Sequence, residues 1–137
     1  GDPETQVVLP LLETDIMDII EAVWEEKLDT LDIKWSDKSC ACVVMASGGY
    51  PEKYETGKVI SGLDENGQCE GAFVYHAGTK LEDGKFLTAG GRVLGITAYG
   101  DTLKEALDTA YKAVDTISFE KAHYRHDIGK KALSALK

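Results

Sequence analysis

The sequence predicts an α+β chain in which a small antiparallel, barrel-like sheet carries one packed helix and is preceded by a separate N-terminal helix. Three observations predict it. Short β-branched runs alternate with glycine-containing turn signals from Cys40 to Ala98, an amphipathic stripe opens on a capping box at Thr102, and another helical stripe stands apart over 14–28.

In the N-terminal stripe Ile16, Ile19, Ile20, Val23, Trp24 and Leu28 recur at helical spacing. Thr14 is placed as an N-cap, and Asp15 and Asp18 complement the positive end of the helix dipole. After Leu31 the composition changes, and Trp35 is followed by Ser-Asp-Lys-Ser. A domain boundary is expected there, with residues 1–35 closing one domain and 36–137 forming the next.

Cys40 to Ala46 reads as a buried strand, and Ser47-Gly48-Gly49-Tyr50-Pro51 turns the chain because glycine allows positive φ and proline stops the ladder. Further short strands are expected at Val59-Ile60, Ala72 to His76, Lys85 to Thr88 and Val93 to Ala98. The turns Asn66-Gly67, Asp83-Gly84 and Gly90-Gly91 separate them.

Thr102-Leu103-Lys104-Glu105 has capping-box chemistry: the threonine oxygen accepts a backbone N–H while the glutamate reaches back. Leu103, Ala106, Leu107, Ala110, Tyr111, Val114 and Ile117 then line one face, which reads as packing against the sheet. Tyr124-Arg125-His126-Asp127-Ile128-Gly129 leads into a short terminal helix.

Composition excludes several functions. The 15 basic and 24 acidic residues of the 137 give a net charge of −9, which repels nucleic acid at long range. No apolar run approaches the roughly 20 residues that span a bilayer, so no membrane partner is expected. Cys40, Cys42 and Cys69 are an odd set with no disulfide framework and no partner pair at zinc spacing, which fits packed thiols in a reducing, cytoplasmic setting. The N-terminus lacks signal-peptide regions and the initiating Met, and it is expected to be a cut from a longer chain.

Few residues suggest chemistry by type and spacing alone. Thr88-Ala89-Gly90-Gly91-Arg92 could offer backbone N–H groups and a guanidinium to a phosphate, but spacing favours an ordinary tight turn with a surface arginine. His76, at a strand end, is open to the same two readings, as is the Ser47 to Pro51 corner. Arg125 and Asp127 suggest an exposed ion pair of small worth, and His123, His126 and Asp127 are too few for a metal site. No Walker loop, dinucleotide fingerprint or nucleophile elbow is present.

Six segments taken together carry more. They are Gly-Asp-Pro-Glu-Thr-Gln at 1–6, Ala-Ser-Gly-Gly-Tyr-Pro at 46–51, Thr-Gly-Lys-Val-Ile-Ser-Gly-Leu at 56–63, Phe-Val-Tyr-His-Ala-Gly-Thr-Lys at 73–80, Gly-Gly-Arg-Val-Leu at 90–94 and Arg-His-Asp-Ile-Gly at 125–129. In this order and spacing the chain resembles the C-terminal part of the phosphoribosylamine-glycine ligases, ATP-grasp enzymes also called glycinamide ribonucleotide synthetases. The resemblance implies a C-terminal domain of the rudiment single hybrid motif type, with the helix at 14–28 as the last of the ATP-grasp domain.

It further implies a parent that joins glycine to 5-phosphoribosylamine in purine synthesis. ATP phosphorylates the glycine carboxylate, the amine attacks the acyl phosphate, and ADP and phosphate are released. ATP and magnesium (or manganese) would belong to that parent, with no cofactor bound to this fragment, because the family's metal-holding Glu and Asn lie just before the opening motif. The fragment alone is expected to be inactive, its partners being the two substrates and the missing N-terminal and ATP-grasp domains. By the same resemblance Asp2, Glu4 and Thr5 would line the catalytic centre and Arg92, Gly90 and Gly91 would contact the substrate phosphate, with His76 and Lys80 as secondary contacts. Two other readings stand beside it: a non-catalytic phosphate-sugar binding or docking module, and the equivalent domain of another ATP-grasp carboxylate-amine ligase.

Overall fold

The computed structural model describes residues 1–136 and has the α+β architecture, with antiparallel sheets and a few helices. Two short helical pieces come first: α1 (Thr5–Val8) and a 3₁₀ turn at Leu9–Leu11. Helix α2 (Ile16–Trp24) follows, capped by Asp15, whose carboxylate accepts from the Met17 N–H at 2.8 Å. This corrects the span 14–28 and its Thr14 cap. Thr14 Oγ1 instead accepts from Lys34 N, and Glu26 has positive φ just past the helix end, so Leu28 falls in a separate 3₁₀ turn.

Strands β1 (Ser39–Ala46), β2 (Phe73–His76) and β5 (Arg92–Gly100) form a three-stranded antiparallel sheet in the order β1-β5-β2. Strands β3 (Thr79–Glu82) and β4 (Lys85–Thr88) form a hairpin across the expected Asp83-Gly84 turn, both residues at positive φ. Thr-Lys-Leu-Glu of β3 has no apolar alternation to mark a strand, and its strand character comes from pairing with β4. Val59-Ile60 is not a strand: Val59 makes an isolated bridge to Leu87, and Ser61 another to Ser118.

Helix α3 (Leu103–Val114) opens on the predicted capping box, with Thr102 Oγ1 accepting from Glu105 N and Glu105 Oε2 accepting from Thr102 N. It buries Ala106, Leu107, Ala110, Ala113 and Val114 against β1 and β5. Small alanines on this stripe let the helix backbone approach the sheet closely. As the central strand, β5 is covered on both faces, and Val93, Leu94, Ile96 and Thr97 have essentially no exposure. α3 packs on it, and residues 5–12 also cross it: Thr97 Oγ1 donates to Gln6 O at 3.1 Å and Tyr99 OH to Pro10 O at 3.2 Å.

The chain after α3 returns to the sheet. Ala46 and His123 exchange both backbone hydrogen bonds, at 2.9 and 3.0 Å, so Ala46 is flanked by Arg92 in β5 and by His123 in the tail. Tyr111 of α3 then donates to Arg125 O at 2.7 Å and accepts from Ile128 N at 3.1 Å. These bonds set the position of the tail before α4 (Lys130–Ala135) begins.

Candidate functional site

Arg92 is the first residue of β5, at the end where β1 bulges between Met45 and Ala46. Its guanidinium reaches the opening segment of the chain: Nη1 donates to Asp2 O at 3.2 Å, and Nε lies 3.2 Å from Asp2 Oδ2. Both side chains are 40% exposed, so the pair sits at a surface rather than inside the core. Arg92 therefore lies on the face occupied by residues 1–6.

The turn before Arg92 is built by close approach. Ser47, buried in the neighbouring corner, donates from its hydroxyl to Gly90 O and from its N–H to Gly91 O, both at 2.8 Å. Neither glycine has positive φ; a Cβ on Gly91 would collide with the Tyr50 ring, and one on Gly90 would press on Gly78 Cα. The two glycine-rich turns singled out in the sequence thus pack on each other. Among the described residues, neither the Gly90 nor the Gly91 N–H donates to a protein acceptor.

A cleft of about 300 Å³ lies beside Arg92, lined by Pro3, Cys42, Val44, Arg92, Arg125 and Ile128. Arg125 comes from the tail, where its spacing to Asp127 suggests an exposed ion pair. That pair exists and is bidentate: Nε to Asp127 Oδ1 at 2.9 Å and Nη2 to Oδ2 at 2.8 Å. It holds the Asp127 carboxyl below its ordinary range. The signal that could have placed Arg125 here was its membership of Arg-His-Asp-Ile-Gly, one of the six segments carrying the resemblance. Cys42 lines the same cleft, and burial pushes its thiol up, opposed by a hydrogen bond with Thr97 and reinforced by the Asp2 charge.

The remaining candidates are distributed unevenly. Glu4 lies two residues from Asp2 and lines an adjoining apolar cleft of about 350 Å³ that shares Pro3, Cys42 and Ile128 with the first. Thr5 Oγ1 accepts from Gly1 N at 3.1 Å. Of the predicted site residues, Arg92 and Glu4 each line one of the two clefts, whereas Asp2, Thr5, Gly90, Gly91, His76 and Lys80 line neither. Both His76 ring nitrogens are occupied, Nδ1 with Thr79 Oγ1 at 2.7 Å and Nε2 with Gly67 O at 2.9 Å, while its ring packs 5.1 Å from that of Phe86. Lys80 pairs with Glu82 at 2.6 Å on the exposed hairpin. No group of three or more His, Cys, Asp or Glu side chains suited to a metal occurs among the described residues.

Comparisons with known proteins identify the family. The family model described as "Phosphoribosylglycinamide synthetase, C domain" matches residues 40–131. The chain is 55% identical over 128 residues to a phosphoribosylamine-glycine ligase of Caldanaerobacter subterraneus, covering 93% of this chain and 30% of that protein. It is 50% identical over 137 residues to a bifunctional purine biosynthetic protein of Dictyostelium discoideum, covering 17% of that protein. The crystal structure of a phosphoribosylamine-glycine ligase from Thermotoga maritima superposes with a TM-score of 0.72 at 33% identity, over 93% of this chain and 30% of the other. The chain thus spans about a third or less of the relatives it matches. With the matched residues running from β1 through the tail that delivers Arg125, the chain belongs to the phosphoribosylglycinamide synthetase family, of which it contains the C domain.

Proposed function

We propose that this chain is the C-terminal part of a cytoplasmic ATP-dependent ligase that joins glycine to 5-phosphoribosylamine in purine synthesis, and that its Arg92 cleft receives the substrate's 5-phosphate. The observation that carries this reading is the meeting of Arg92 with Asp2 across 90 positions of sequence. It puts the one arginine beside the glycine turn directly against the opening motif. Glycine carboxylate activation by ATP and magnesium (or manganese) belongs to the domains that this chain does not contain, and here the residues bind and orient. Arg92 neutralises phosphate charge and offers planar donors, and Gly90 and Gly91, whose N–H groups have no protein acceptor among the described residues, stand at the turn just before it. Fixing the phosphate aims the distant amine, so binding energy far from the reacting atoms lowers the entropic barrier.

In this reading Asp2, Glu4 and Thr5 stand at the edge of the catalytic centre, and His76 and Lys80 are assigned to the scaffold of the β2-β3-β4 region. Residues 1–35 close the ATP-grasp domain and 36–137 form the C-terminal domain. The exposed apolar face of α2, where Met17, Ile20, Val23 and Trp24 are all more than half exposed, supports this division, because such a face suits contact with the rest of the parent. The bridges Val59–Leu87, Ser61–Ser118 and Ala46–His123 extend pairing beyond the two sheets and support the barrel-like, rudiment single hybrid motif description. In the full-length enzyme, Arg92→Ala should raise the KM for phosphoribosylamine by about 10- to 100-fold. The KM values for ATP and glycine should stay within about twofold, and an equal rise in all three would remove the phosphate assignment.

A further inference from the structure

Two arginines line the cleft of about 300 Å³, and each is already matched by one aspartate: Arg92 by Asp2 and Arg125 by Asp127. The rest of the lining, Pro3, Cys42, Val44 and Ile128, brings no opposing ionised group. Two arginines on the lining of one small, largely apolar cleft bring like charges to it, and each aspartate offsets that charge. Yet neither guanidinium is saturated. Arg92 Nη2 and Arg125 Nη1 make no hydrogen bond among the described residues, and the side chains of Asp2 and Asp127 are 40% and 54% exposed. A carboxylate that is already half hydrated is cheap to release to water.

We propose that Arg125 is the second arm of the phosphate grip, and that Asp2 and Asp127 are exchangeable counter-ions that a phosphate monoester displaces or shares. This rests on the reading of Arg92 given above and deepens it. The backbone explains why Arg125 qualifies. Ala46 holds Arg92 on one side and His123 on the other, and the Tyr111 hydroxyl fixes Arg125 O and Ile128 N, so the tail brings Arg125 to the lining of the same cleft from the opposite edge of β1. A phosphate dianion supplies two charges and several acceptor oxygens, enough for both guanidiniums. Asp127 is then a specificity residue, because any anion entering the cleft must compete with it for Arg125.

The test uses the full-length enzyme with Arg92→Ala, Arg125→Ala, Arg125→Lys and Asp127→Asn, reading KM for each substrate, kcat, and competitive inhibition by inorganic phosphate. Arg125→Ala should raise the phosphoribosylamine KM by about 10-fold or more with ATP and glycine KM unchanged, and Arg125→Lys should restore only part of the loss, since lysine lacks the planar fork. Asp127→Asn, which keeps shape and removes charge, should strengthen inhibition by inorganic phosphate about three- to tenfold. If Arg92→Ala raises that KM while Arg125→Ala does not, the second arm is wrong and the Arg92 reading survives. Should neither move it, the Arg92 reading fails as well. A rise in all three KM values with Arg125→Ala assigns the residue to structure, and unchanged phosphate inhibition in Asp127→Asn removes the counter-ion role.

Discussion

Arg92 and Asp2 meet although 90 residues separate them, and their contact depends on small residues at the turn just before β5. Glycine is needed there for lack of a side chain, whereas at Gly62 it is needed for both reasons: φ is +90°, and a Cβ would run into the Thr116 carbonyl. Gly62→Ala should therefore cost on the order of 2 kcal/mol or more, read as a lowered urea midpoint at unchanged m-value. Cys40 gives a chemical counterpart. Burial, helped by the nearby Cys42, raises its thiol from the ordinary 9.0 to about 11. At pH 8 its thiolate fraction should be about a hundredfold below that of a free cysteine, so iodoacetamide should alkylate it far more slowly in the folded chain than in urea. The folded state keeps the Cys40 proton to higher pH than the unfolded chain does, so this contribution to stability is intact below pH 9 and is lost as pH rises from 9 toward 11.

At the scale of elements, α3 was readable because local and tertiary demands coincide. Thr102 and Glu105 cap it, and the buried face is the one its periodicity marks. Thr102→Ala should cost about 1 kcal/mol and lower Tm by roughly 3–5 °C in a thermal melt, since it removes the acceptor for Glu105 N. α2 was readable in type but not in extent, because Asp15 and not Thr14 supplies the cap. The hairpin β3-β4 divides the same way. Asp83-Gly84 and the β-branched end of β4 are visible in sequence, while β3 is a strand by pairing alone. Val59-Ile60 is the reverse case: the residues favour a strand, but only Val59 finds a bridge, and the rest of the segment forms no ladder.

For the whole molecule, the sharpest contrast is between a well-buried β-domain and an apolar helix with no buried residue. Trp24 is 88% exposed. If the remaining part of the parent covers α2, the emission of Trp24, isolated as the difference between the chain and Trp24→Phe, should be that of a solvated indole in the fragment and should shift to the blue in the full-length enzyme. An unshifted spectrum would place α2 outside the domain contact. Calorimetry with ribose 5-phosphate should show weak or no binding to the isolated chain and measurable binding to the full-length enzyme, because half of a pocket supplies half of the contacts. Micromolar binding to the fragment would favour an independent phosphate-sugar module instead.

From the residues alone came the antiparallel α+β plan, the capped helix at Thr102, the glycine corners at 48–49 and 90–91 and, through six ordered segments, the family. Those features are local: periodicity, caps and turn chemistry act within a few positions, and a motif is legible wherever it stands. Tertiary structure decided that the two glycine corners pack on each other, that Arg92 faces Asp2, that Arg125 shares its cleft, and that the His76 ring bonds Gly67 and Thr79. These are contacts between residues tens of positions apart. Their geometry is set by strand register and by the return of the tail along β1, which no window of sequence specifies.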